Sequence, residues 1–391
     1  MNIIVKSMLM LLLLNLSLWA KEFNEFLNEA VKKSPYLHSS MLDINQAEQE
    51  GEILTRYQNP SLEVEASRFS PNGAKNENGY RTSISQSIRL WGISDDKKNL
   101  ARAISKNAKT LYTKKRARFI RDISLLYTEY ASEKMLLLLA DEESDIAKKI
   151  YKISKIRYEN GTISRGKTLQ AKIAYEMIMV QKDNRLISMN KRYYELLKYA
   201  GINKQIAVDE NYLFKIKGAK KDENPDIAYL SANKNRADFE AKVNSHKIEW
   251  MNLYAEYENE PDQDIYRFGV SIPLAIFNTK SQERELATLE AKKSQLLIDN
   301  ETKRLNIEQI RLQKERTSLL KVKARYENLL KSELELLAMF EEGYKIANTK
   351  LLELQDIKNR VIESKKHLIE IKTALNKNAI VTNYMQGDYN E

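Results

Sequence analysis

Residues that carry covalent or metal chemistry are nearly absent from this chain. None of its 391 residues is Cys, which excludes disulfides, thiolate metal sites, Cys nucleophiles and a lipidated N-terminal Cys. His38, His246 and His367 stand far apart and argue against a His-built metal centre or a Ser-His-Asp triad. Met177 and Met179 share no helical face and mark no metal path. No enzyme activity, cofactor or bound metal is expected. The chemistry that remains is partitioning between water and an apolar phase. It resides in alternating strands and in the aromatics near their ends, Tyr80, Trp91, Trp250, Tyr266 and Phe277.

The strands read with period two. In residues 80–90, Tyr80, Thr82, Ile84, Gln86, Ile88 and Leu90 oppose Arg81, Ser83, Ser85, Ser87 and Arg89. Leu62, Val64 and Ala66 oppose Glu63, Glu65 and Ser67, and Met251, Leu253, Ala255 and Tyr257 oppose Trp250, Asn252, Tyr254 and Glu256. One apolar and one polar face suit a membrane barrel around a wet lumen, with aromatics at its interfaces. A soluble antiparallel sheet shows the same alternation. Four strands cannot close a barrel, so the membrane reading requires several chains to pool strands.

Long helices must carry these strands. Gly is 11 and Pro 6 of 391 residues, each under half of the roughly 7% and 5% of average usage. So few breakers predict long uninterrupted helices. Ile298, Leu305, Leu312, Leu319 and Tyr326 recur at every seventh residue, the coiled-coil period. Leu289, Leu296 and Ile310 form a second stripe, so each helix should pack on both sides, as in a ring. Basic and acidic residues interleave throughout, so the net charge of +10 reads as a solvated helical surface. No nucleic-acid partner is expected.

The sequence repeats itself. Tyr80–Ile88 resembles Tyr266–Leu274, and Tyr80 and Tyr266 lie 186 residues apart. Trp91 then falls on Phe277 and Tyr158 on Tyr344, while upstream Pro35 falls on Pro225 at an offset of 190. The first copy is predicted over 21–201, with a β-hairpin at 61–90, a long helix at 94–158 and a helix at 165–200. A linker follows at 202–223. The second copy spans 224–378, with a hairpin at 250–274 around a loop at 258–264, a long helix at 279–344 and a helix at 350–378. Residues 379–391 read as a tail. Thr279 and Gln282 can form a capping box. At the other end of the chain, residues 1–20 read as a secretory signal peptide: Lys6 leads an apolar run, and Ala20 is a plausible cleavage position. No later stretch can span a membrane as a helix.

Several short matches, in order, resemble the TolC-type outer-membrane efflux channels. They are Asn59-Pro60 before the first strand, Ser85-Gln86-Ser87-Ile88 with Trp91-Gly92, and Val270-Ser271-Ile272-Pro273-Leu274 with Ile276-Phe277-Asn278. The turn signature Tyr-x-x-Gly stands as Tyr158-Glu159-Asn160-Gly161, followed by Ser164. The resemblance implies a mainly α chain with a small transmembrane β part: a coiled-coil tunnel plus four strands per chain in a trimeric twelve-stranded barrel. It implies a homotrimer in outer-membrane lipid with a large periplasmic portion. Its partners would be a periplasmic adaptor protein and an inner-membrane pump, in a tripartite efflux or type I secretion system. Transport would be passive, energised by the pump. Tyr158, Gly161 and Ser164 would contact the adaptor. Tyr344, Glu353 and Asp356 would form the periplasmic gate, with six carboxylates in a trimer. Glu353 and Asp356 also fit as acids in the first turns of a helix, stabilised by its dipole. Ala347 and Lys350 replace the Gly and Ser of the turn pattern. A periplasmic adaptor or coiled-coil scaffold is the competing reading, although adaptors need a Gly-rich lipoyl-like module.

Overall fold

The computed structural model describes residues 20–21, 23–70, 72–73, 75–203, 206–217, 224–346 and 349–388. Residues 1–19 of the expected leader lie outside these. The helices are α1 (Phe23–Lys33), α2 (Pro35–Thr55), α3 (Ile93–Glu159), α4 (Arg165–Ala200), α5 (Pro225–Val243), α6 (Ser281–Lys345) and α7 (Leu351–Met385). The strands are β1 (Ala20–Lys21), β2 (Ser61–Phe69), β3 (Glu77–Arg89), β4 (Ala207–Val208), β5 (Trp250–Glu260) and β6 (Gln263–Ser271). β1 pairs in parallel with β4. The others form one antiparallel sheet in the order β2-β3-β5-β6. The chain is thus mainly helical with a small β part.

The duplication is visible in the element starts. α2 and α5 begin at Pro35 and Pro225, β3 and β6 at Glu77 and Gln263, and α4 and α7 at Arg165 and Leu351, each at the offset read from the sequence. The compact units nevertheless cut across the copies. One gathers Met1–His38, Lys115–Asn224 and Arg304–Glu391, and the other Ser39–Lys114 and Pro225–Lys303. Each unit takes part of both long helices.

In the second of these units the helices form a layer. Gly51 of α2 would place a Cβ 3.1 Å from the Ala101 Cβ of α3, so its lack of a side chain permits the close approach. Asp96 of α3 binds His246 at 2.8 Å and Lys242 at 2.7 Å, beyond and at the end of α5. Burial would raise the Asp96 pKa, but the hydrogen bonds from His246 and Lys242 prevail and lower it. Asn233 of α5 donates to Glu290 and Ser294 of α6 at 2.9 and 3.0 Å. The layer order is therefore α2-α3-α5-α6. Its outer helices leave Met41, Leu42 and Ile53 on α2 and Leu289 and Leu296 on α6 exposed.

The other unit has a core where Phe23, Phe26 and Leu27 of α1 meet Phe119, Ile123 and Tyr127 of α3 and Leu196 of α4. Burying such aromatics contributes about 3 to 5 kcal/mol each by the measure of truncation to Ala. Lys182 and Arg192 of α4 pair with Asp141 and Glu129 of α3. Lys358 and Lys377 of α7 pair with Glu143 and Glu129 of α3, each at 2.8 Å. Tyr326 of α6 packs on His367 of α7. The order here is α4-α3-α7-α6. Its outer helices again carry uncovered heptad stripes, Ile173, Val180, Ile187 and Tyr194 on α4, and Val322, Leu329 and Leu336 on α6.

Three local expectations are corrected. The loop at 258–264 shrinks to two residues, Pro261-Asp262, because β5 and β6 stay paired to Glu260 and Gln263. α6 begins at Ser281, so Thr279 and Gln282 form no capping box. Instead Lys280 takes φ 54°, and the Asn278 carboxamide accepts its N–H at 3.1 Å. α7 continues past Asn378 to Met385, absorbing much of the residues read as a tail. Ala379, Ile380 and Tyr384 are buried, and burial pulls the helix onward.

Candidate functional site

Strand register gathers the apolar residues on one face. Leu62, Ile84, Ala255 and Phe268 stand opposite one another across the four strands, as do Val64, Thr82, Tyr257 and Tyr266. The reverse face carries the rows Glu63, Ser83, Glu256, Arg267 and Glu65, Arg81, Glu258, Ile265. Arg81 pairs with Glu65, and Arg267 with Glu256 and Glu258. Ser61 bonds Ser85 and Ser87 bonds Asn252, both at 2.7 Å. The polar face thus carries several cross-strand pairs of its own, while the apolar face lies bare: Phe268 is 81% and Ile84 53% exposed. A continuous uncovered face of this kind marks contact with another apolar phase.

The expected aromatics divide. Tyr80 and Tyr266 both pack on Tyr257, with ring centroids 5.8 and 5.1 Å apart. Trp91 and Phe277 follow the strands and are 89% and 99% exposed. Trp250 departs from the set. It pairs with Arg89 on the polar face because its parity is opposite to that of Met251.

Period two places Arg89 on the polar face, and the structure gives it a larger role. Its side chain is buried, with its guanidinium 4.5 Å from the Trp250 ring centroid and 5.0 Å from that of Tyr57. It donates to the Thr55 and Arg56 carbonyls just at the end of α2, at 3.1 and 2.9 Å, and ion-pairs with Glu249 at 3.3 Å. One side chain thus ties β3, β5 and the α2 terminus together.

The two helix turns bring the remaining candidates into place. At the α3–α4 turn, Gly161 takes φ 73°. Gly161 N–H donates to the Tyr158 carbonyl at 2.9 Å and Thr162 N–H to that of Arg157 at 2.8 Å, a Schellman closure. Ser164 caps α4 by accepting from Lys167 N–H. Tyr158 is exposed, so Tyr158, Gly161 and Ser164 together present an open, rigid turn. At the second turn, Glu353 accepts the Lys350 N–H at 3.1 Å, as an acid in a first helical turn should. Asp356 accepts from Arg360 at 2.9 Å. Both carboxylates lie on the exposed side of α7, opposite buried Leu351, Leu354 and Ile357.

Tyr344 does not share that exposed side. It is 1% exposed, bonds Ser154 of α3 through its hydroxyl at 2.8 Å, and has the Arg157 guanidinium 4.7 Å from its ring centroid. Its large ring fills the core between the helices, so it positions the turn rather than lining a passage. Tyr344→Phe is expected to cost about 1 kcal/mol, the net worth of a buried hydrogen bond, and Tyr344→Ala about 3 to 5. Denaturant titration of both variants checks this; equal losses would contradict the assigned hydrogen bond.

Two Asn residues on α7 went unrecognised in the sequence. Asn376 clasps the extended segment at 212–217 by accepting from Phe214 N–H and donating to the Tyr212 carbonyl, both at 3.1 Å. Seven residues on, Asn383 does the same to Lys217 N–H and the Lys215 carbonyl. Their heptad spacing was the available signal.

No protein-family model and no curated protein sequence matches the chain. Solved structures do. A structure of CusC, described in connection with transmembrane channel formation, superposes with a TM-score of 0.77 at 14% identity, covering 93% of this chain and 91% of that one. The outer membrane protein VceC from Vibrio cholerae gives 0.76 at 12% identity, covering 93% and 95%. The Campylobacter jejuni CmeC outer membrane channel gives 0.74 at 15% identity, covering 94% and 86%. The chain has the fold of the TolC-type outer-membrane channels. At these identities the likeness is one of fold.

Proposed function

We propose that three copies of this chain form an outer-membrane channel of an efflux system, a passive conduit with a large periplasmic portion. The observation that carries this reading is that every layer is open at both edges. The sheet ends in β2 and β6, each with one edge unpaired, and both helix layers end in helices with bare apolar stripes. Open strand edges and uncovered heptads are costly when left alone, and closure into a ring satisfies all of them at once. Three chains would supply twelve strands, with the apolar face toward lipid and the ion-paired face toward a wet lumen. A coiled-coil scaffold explains the heptads but not the bare sheet face. Sedimentation of the detergent-solubilised chain tests the assembly. Three chains per particle are expected, and a monomer that stays soluble without detergent would refute it.

In this reading the turn at Tyr158, Gly161 and Ser164 docks a periplasmic adaptor joined to an inner-membrane pump. Glu353 and Asp356 supply six carboxylates to the periplasmic gate, and Tyr344 braces them from within. Replacing both acids with Ala should raise single-channel conductance in planar bilayers and relieve block by divalent cations. Unchanged conductance and block would remove the acids from the gate.

A further inference from the structure

Charges interleave along most of the chain but not around the α3–α4 turn. Seven of the twenty residues from Lys148 to Lys167 are basic, and one, Glu159, is acidic. Arg157 is spent inward, with its guanidinium on the Tyr344 ring and a hydrogen bond to the Tyr344 carbonyl at 3.3 Å. The other six are exposed. Lys148, Lys152 and Lys155 recur at helical spacing on α3, away from buried Ala147, Ile150 and Ser154. Lys155 reaches Glu159 only at 3.9 Å. Lys148, Lys149, Lys152, Arg165 and Lys167 pair with no carboxylate among the described residues.

Basic side chains at the end of α3 complement its dipole and need no further cause. Arg165 and Lys167 stand at the wrong end for that explanation. They lie in the first turn of α4, which holds no acidic residue, so each cation meets the positive end of the dipole. Ser164 caps the helix by a hydrogen bond but brings no charge. The second turn has the opposite balance. From Glu341 to Asp356 four residues are acidic and two basic, and Glu353 stands in the first turn of α7. The two tips of the duplicated fold therefore differ in sign.

An anionic partner removes the conflict at α4. We infer that the α3–α4 turn docks a helical hairpin whose tip is acidic, with apolar side chains there to cover exposed Ile156 and Tyr158. The inference rests on the adaptor-docking reading of this turn and adds the partner's charge. A small anion would leave Ile156 and Tyr158 bare. Lys148 to Lys155 climb about 10 Å along α3, so the basic patch runs up the side of the tip. An opposing hairpin reaches that side, whereas a flat layer of lipid headgroups meets only the end.

The test measures binding of the full chain in detergent to two synthetic helical hairpins, by biolayer interferometry. Both carry Leu at the turn; one has four Glu beside it and the other four Gln. The Glu hairpin is expected to bind, and the Gln hairpin about tenfold more weakly. Joint Lys152→Gln, Lys155→Gln, Arg165→Gln and Lys167→Gln substitution should weaken the Glu hairpin by about tenfold. Lys292→Gln, Lys293→Gln and Lys303→Gln together, on exposed positions of α6 in the other compact unit, should change it less than about twofold. Circular dichroism identifies a tip variant that fails to fold, and the Arg165→Gln, Lys167→Gln pair then replaces it. Equal binding of the two hairpins leaves docking standing and overturns the acidic partner, as does a folded tip variant that binds like the parent. Binding of neither hairpin removes the docking reading as well. Tip-dependent binding of monomeric dihexanoylphosphatidylglycerol, with no hairpin bound, assigns the patch to lipid and also overturns the proposal.

Discussion

Arg89→Met should destabilise the β-bearing unit by about 3 kcal/mol. The substitution keeps much of the side-chain volume but removes every polar contact. The Thr55 and Arg56 carbonyls then lose their donors, and each unmet buried group costs about 1 to 3 kcal/mol. The stacking of the guanidinium between Tyr57 and Trp250 also goes, worth about 0.5 to 2 kcal/mol. Glu249 limits the damage, because Lys97 and Lys280 still neutralise it. Arg89→Lys should recover little, since a single ammonium cannot span two carbonyls and lie flat on two rings. Denaturant unfolding in detergent reads both variants. If Arg89→Met unfolds with the parent, the residue does not join helix to strand in the way described.

The second large effect separates a membrane sheet from a soluble one. Ile84→Lys puts a charge at the middle of the bare face, and Ser85→Lys puts one on the reverse face a residue away. In water Ile84 is already half exposed, so a charge there costs almost nothing. Facing lipid, it costs about 2 to 4 kcal/mol at mid-depth. Ile84→Lys should therefore lose membrane insertion while Ser85→Lys retains it, as measured by the fraction recovered in vesicles after flotation. Equal recovery would remove lipid from the apolar face.

Much of this was legible in the sequence because the relevant signals are periodic. Period two separated the strand faces, and the offset of 186 placed the starts of β6 and α7 from those of β3 and α4. What was missed is polar and buried. Asn376 and Asn378 read as the end of α7, since sequence cannot show that one clasps a backbone segment and the other a carbonyl of α6. Arg89 looks like any polar-face residue because its partners lie 32 or more residues away in sequence on one side and over 150 on the other. Trp250 was grouped with the interface aromatics by its place at a strand end, although its parity pointed to the polar face. Tyr344 matched a repeat position whose counterpart, Tyr158, is exposed. The two copies have the same elements but not the same neighbours.

The central claim is that identical chains close their open edges into a conducting tube. Single-channel recording of the purified chain in a planar bilayer tests it most directly. Discrete, long-lived current steps are predicted, larger when Glu353 and Asp356 are both Ala. Folded protein that inserts into the bilayer and carries no current, with the acids intact or replaced, would contradict it.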